Sequence, residues 1–132
     1  MGKFTFESAK DKARGIARNP ERLKNLYLKA AKKLSKTELK QENFDKFKQE
    51  AYTFLRMIRA YWTGAYRETP WKSLVLIVAT LIYFVNPLDL IPDFIPATGF
   101  IDDISLLLMV FNSVKNDVDD FVVWEHNQSY QN

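Results

Sequence analysis

From Leu74 to Val85, about three turns if helical, only Thr80 and Tyr83 carry polar side-chain atoms. A helix that is apolar on every side has no face to give to water, so other elements must enclose it or it must lie in lipid. Thr69-Pro70 leads into the run as a cap followed by proline at the first helical position, where the missing N–H costs nothing. Asn86-Pro87 is expected to stop it, because the residue before a proline is pushed out of the α region.

The rest of the chain also reads as helix, with no Asn-Gly or Asp-Gly hairpin signal and no internal repeat. A weaker helix is predicted from Glu7 to about Ala17. Asn19-Pro20 then opens one in which Leu23, Leu26, Tyr27, Ala30, Ala31 and Leu34 recur at helical spacing. Ser35 and Glu38 fit a capping box for a longer helix with the stripe Phe44, Phe47, Ala51, Phe54, Leu55, Ile58, Tyr61, Trp62 and Ala65, ending near Tyr66-Arg67-Glu68. Asp102 is expected to cap a last helix bearing Ile104, Leu107, Leu108, Phe111, Val114, Val118, Phe121 and Val122, with a frayed tail over 125–132.

Between the last two helices, residues 86–103 hold Pro87, Pro92 and Pro96, which stiffen the backbone, and Gly99, which permits a left-handed residue. Leu88, Leu90, Ile91, Phe94, Ile95, Phe100 and Ile101 make this structural turn too apolar for an ordinary exposed loop. Asp89, Asp93, Asp102 and Asp103 crowd into the same stretch. Such hard oxygen ligands are candidates for Mg²⁺ or Ca²⁺, but calcium-loop spacing is missing. Helix capping is the simpler use: Asp89 at the third position after an Asn86 cap, and Asp102 as a cap itself. No cofactor is required on that reading.

Thr69-Pro70-Trp71, the apolar helix, then Pro87, Asp89, Leu90, Ile91, Pro92, Asp93, Ile95, Pro96, Gly99, Asp102 and Asp103 together resemble the YkvA-like domain of unknown function. The resemblance spans roughly residues 61–124 and leaves the basic N-terminal half outside. It implies a bacterial helical hairpin, often membrane-associated, with no established activity and no catalytic residues to carry over.

Charge divides the chain. Residues 1–40 hold 12 Lys/Arg against 4 Asp/Glu, whereas residues 86–132 hold Lys115 alone against 8 acidic groups. Such polarity draws the halves together, draws the basic half to an anionic surface, or does both. Lys24, Lys29, Lys32, Lys33 and Lys36 form the candidate anionic-surface contact. The first option predicts that at least one of Lys24, Lys29, Lys32, Lys33, Arg56 or Arg59 approaches Asp117, Asp119 and Asp120, which the predicted boundaries put near the helix C-terminus, where the dipole disfavours them. Nucleic acid is disfavoured, since neither a helix-turn-helix glycine nor basic–aromatic interleaving is present.

The apolar helix from Trp71 to Asn86 would span about 24 Å, short against a bilayer core of about 30 Å. Trp71 and Tyr83 nevertheless suit an interface, and the basic half suits a cytoplasmic leaflet. The chain has no cysteine, which removes thiol chemistry and fits a reducing compartment. Its start lacks the apolar core of a secretory signal, and Phe6 spoils a myristoylation motif. The single histidine, His126, has no second histidine or cysteine to work with.

These features predict one all-α domain, a four- or five-helix bundle around a central apolar antiparallel hairpin. Residues 1–68 form a basic amphipathic half and 69–124 the hairpin. The function expected is a non-enzymatic interaction or scaffold module, in the bacterial cytoplasm and at the inner membrane, meeting an anionic membrane surface or a protein partner. The alternative is a divalent-metal-dependent enzyme or metal sensor using the turn aspartates.

Overall fold

A computed structural model of the chain describes residues 6–36, 42–90 and 109–131, all in helices or the short links between them. The helices are α1 (Phe6–Ala17), α2 (Pro20–Lys36), α3 (Glu42–Thr63), α4 (Trp71–Leu90) and α5 (Lys115–Gln131), with a further helical stretch over 109–113 before α5. The protein is an all-α helical bundle.

Of the two settings its composition allows, α4 takes the first over its described side chains, with neighbouring helices around it. Leu74, Val75, Ile77, Val78, Ala79, Thr80, Leu81 and Ile82 are buried on successive sides of the helix, and Thr80 disposes of its hydroxyl by donating to the Leu76 carbonyl at 2.8 Å. α1 covers α4 most extensively, through a stripe of Ala9, Ala13 and Ala17 that are buried to the last atom or nearly so. Alanine side chains let two helix axes approach closely, which explains how so short a helix packs so fully. α2 buries Leu23, Leu26, Ala30 and Leu34 as expected, between α3 and α4.

Directions follow from which ends meet. Arg18 and Trp71 lie together at one end of the bundle and Lys12 and Val85 at the other, so α1 runs antiparallel to α4. Lys33 sits over Phe84 while Leu23 lies with Trp71, so α2 runs parallel to α4. α3 returns antiparallel to both, its Trp62 ring meeting Tyr27 edge-on at 5.3 Å.

Several boundaries differ from the sequence expectation. Asn19 caps α2 as predicted, its Oδ1 accepting the Arg22 N–H at 3.2 Å. Thr69 does not act as a cap, because its Oγ1 is buried without a partner and the Pro70 carbonyl accepts the first helical bond from Leu74. Ser35 opens no capping box. It lies within the last turn of α2, where its hydroxyl donates to the Lys32 carbonyl at 2.8 Å, and α3 begins only at Glu42. Glu38 lies outside the described residues.

α3 ends at Thr63 because Gly64 takes φ of +85°, a left-handed cap, and Tyr66 folds back to donate its N–H to the Ala60 carbonyl at 3.1 Å. α4 does not stop at Asn86 but continues through Pro87 to Leu90. The pre-proline bias against helix is a local cost of one N–H and a steric clash, which disfavours helix there without forbidding it. Asp89 therefore lies in the last turn of α4 instead of opening a new helix. Side chains at Phe44, Phe47, Tyr83 and Asp89 lie outside those described.

At the C-terminal end the single helix predicted from Asp102 is divided near Val114, whose carbonyl accepts the Val118 N–H at 2.9 Å as α5 begins. Val114, Val118 and Phe121 are buried as predicted, but Val122 is 42% exposed, turned away with Val123. Residues 125–131, expected to fray, continue α5. Phe121 and Trp124 instead hold it down by stacking around Tyr66, with ring centroids 5.3 and 5.1 Å from that phenol ring. Arg56 adds a bidentate pair to Glu125, at 2.8 and 3.2 Å.

Candidate functional site

Four of the five surface lysines singled out in α2 come together. Lys29, Lys32, Lys33 and Lys36 ring a cleft of about 280 Å³ whose apolar side is Val85 of α4. The spacing explains this, since residues three, four and seven apart share one helical face. Lys24 is exposed and lines no part of it. A second cleft of about 260 Å³ shares Lys29 and Val85 with the first and adds Lys12 and Ile16 from α1, Arg22, Asn25 and Leu26 from α2, and Ile82 from α4.

The two clefts form a basic trough with an apolar floor. Six cationic side chains surround it, and no carboxylate of the described residues lines it. Lys33 is half-buried with its ammonium 5.8 Å from the centre of the Phe84 ring, while Lys29, Lys32 and Lys36 are exposed. Long cationic stems lying on apolar surface with their heads outward suit an anionic layer or a polyanion.

Lys12 and Arg22 were not among the residues the sequence singled out. Arg22 stands seven residues before Lys29 on the same face of α2, a spacing that carries the signal. Lys12 carried none, because only the packing of α1 on α4 brings it alongside.

Among the described residues no ion pair joins the basic half to Asp117, Asp119 or Asp120, the groups it is predicted to approach. Asp119 pairs within its own helix to Lys115 at 3.6 Å, and Asp117 accepts the hydroxyl hydrogen bond of Ser73 at the start of α4. Arg56 does reach α5, but at Glu125. Because α5 starts at Lys115 and runs to Gln131, Asp117 stands in its first turn, where the helix dipole favours negative charge. The need for lysine compensation is correspondingly less.

Of the turn residues, Pro87 and Asp89 fall within α4. Asp93, Asp102, Asp103, Pro92, Pro96 and Gly99 lie outside the described residues. Among the described residues no three histidine, aspartate or glutamate side chains gather as a metal site would need, and no helix is long and apolar enough to cross a membrane. His126 is exposed on α5.

The family described as "Protein of unknown function (DUF1232)" matches residues 73–109. Over 86 residues, 65% of this chain and 81% of the relative, the sequence is 37% identical to "Uncharacterized membrane protein YkvA" of Bacillus subtilis (strain 168). No solved structure matches. The match runs through α4 and into the proline- and aspartate-rich segment whose residues carried the resemblance, and on that identity the chain belongs to the YkvA family.

Proposed function

We propose that this protein is a non-enzymatic interaction or scaffold module that docks, through the basic trough, on the anionic inner face of a bacterial membrane. The observation that carries this reading is the convergence of Lys12, Arg22, Lys29, Lys32, Lys33 and Lys36 around an apolar floor, with no carboxylate of the described residues lining it. The printed name of the Bacillus relative, a membrane protein, agrees with such a location. Surface docking needs no spanning helix, since basic side chains near an anionic leaflet contribute about 1 kcal/mol each within a Debye length.

Flotation with vesicles tests it. Binding should be stronger to vesicles containing phosphatidylglycerol than to neutral ones, and should fade as salt is raised from about 50 to about 300 mM, where screening shortens the reach of the charges. Reversing Lys29, Lys32 and Lys36 together to glutamate should remove it, because each lysine accounts for roughly a fivefold factor before reversal. Equal flotation on neutral and anionic vesicles would reject the membrane-surface reading and return the trough to a protein partner.

A further inference from the structure

At the opposite end of α4 from the trough lies a third cleft, of about 240 Å³, built where four elements begin or end. Arg18 follows the last residue of α1, Tyr61 and Trp62 close α3, Arg67 lies in the link after it, and Trp71 opens α4. Trp71 and Val85 are fourteen residues apart, which a helical rise of about 1.5 Å per residue turns into about 21 Å. The trough and this cleft are therefore separate sites, and binding at the cleft does not depend on membrane docking.

Both arginines lie over aromatic rings. The Arg18 guanidinium carbon lies 5.3 Å from the centre of the Trp71 ring, and that of Arg67 lies 4.4 Å from the centre of the Tyr61 ring. A cation over a ring face is attracted by the ring quadrupole, and a guanidinium placed there keeps N–H donors for a further partner. Neither arginine forms an ion pair with a carboxylate of the described residues, and none of those carboxylates lines the cleft. The corner that positions Arg18 is itself secured: Asn19 donates its N–H to the Ile16 carbonyl at 3.0 Å and caps α2 with its side chain. The start of α4 adds the positive end of its dipole.

We propose that this cleft binds a phosphate group carried by a small polar molecule or by a lipid head. Two guanidinium forks arriving from different elements suit an acceptor that can be approached from two sides, whereas the acceptor sites of a carboxylate lie in one plane. A phosphate ester sets its oxygens tetrahedrally about phosphorus, with anionic charge spread over the non-bridging ones, so donors can reach it from both sides. The cleft leaves room beside that group for a glycerol-sized substituent against Trp62 and Trp71.

The test uses the full chain with sn-glycerol 3-phosphate, inorganic phosphate and phosphatidylglycerol vesicles as probes, and glycerol and acetate as controls, at constant ionic strength. Binding is read by calorimetry and by tryptophan fluorescence, with Trp71→Phe identifying the responding ring. Glycerol phosphate should bind saturably, and Arg18→Gln or Arg67→Gln should each weaken it roughly tenfold, the factor expected for losing a charge-assisted hydrogen bond. Lys32→Gln with Lys36→Gln should leave it unchanged. Arg18→Lys, which keeps the charge but not the planar fork, should bind weakly while folding normally by circular dichroism. Arginine-dependent binding confined to vesicles also supports the site and assigns its phosphate to a lipid. The proposal falls if no phosphate source binds saturably, if acetate binds as well, if vesicle binding does not depend on the arginines where glycerol phosphate fails to bind, or if the lysine pair matters as much as the arginines for glycerol phosphate.

Discussion

Gly64 ends α3 with a positive φ, and a side-chain carbon built there would meet nothing within 4 Å. Its replacement therefore isolates backbone conformation from crowding. Gly64→Ala should destabilise the fold by about 1–2 kcal/mol, the cost of a left-handed L-residue, seen as a lower urea midpoint at unchanged slope. Asn19→Ala should cost about 1 kcal/mol through loss of the α2 cap. Tyr66 supplies a pH signature. Burial first, then the carboxylates of Glu68, Asp120 and Asp117, push its phenol above the ordinary value of 10.0. The folded state then holds this proton more tightly than the unfolded chain. The contribution of Tyr66 to stability is intact below about pH 10 and is lost as pH rises through the raised value. Denaturant midpoints measured from about pH 8 to about pH 11 should fall at the alkaline end, and Tyr66→Phe should flatten that fall.

Among the elements, α1 and α4 make the sharpest contrast with expectation. α1 reads as the weakest helix because its inward face holds alanines where a hydrophobic stripe would show leucines, yet those alanines are what seat it against α4. Ala13 has no exposed surface. Ala13→Leu should force the helices apart and cost about 1–3 kcal/mol, although leucine is an excellent helix former. Ile77→Ala in α4 should cost about 2–5 kcal/mol, because the site is sealed on all sides and cannot collapse fully. Thermal melts of both variants separate the two effects: overpacking at the α1 contact, a cavity in α4. The end of α3 differs from expectation for a local reason, since a glycine in the left-handed conformation is a stop signal in its own right and Gly64 ends the helix before Ala65, the last residue of the predicted stripe, and before the Tyr66-Arg67-Glu68 boundary.

For the whole molecule, the charge asymmetry is resolved by geometry more than by pairing between halves. The last helix keeps Asp117 and Asp119 within its own first turns and at Ser73, and the lysines of α2 face the trough instead. Arg56–Glu125 is an ion pair that joins α3 to α5, with side chains 48% and 29% exposed. A double-mutant cycle on Arg56 and Glu125 should give a coupling below about 1 kcal/mol, since exposed pairs are screened and hold long side chains in place at an entropic cost. The Tyr66, Phe121 and Trp124 cluster, not this pair, should dominate the anchoring of α5.

The sequence by itself determined the helical class, the all-round apolar character of α4, the buried stripe of α2 and the Asn19 cap. Each of these rests on spacing or on a dipeptide within a few residues, so local physics suffices. Tertiary structure decided which faces meet. A period of 3.6 residues says which side of a helix is apolar but not which neighbour covers it, and so Lys12, Arg18 and Arg67 found their clefts only in the folded chain. It also decided the passage of α4 through Pro87, which the local pre-proline bias disfavours but does not forbid.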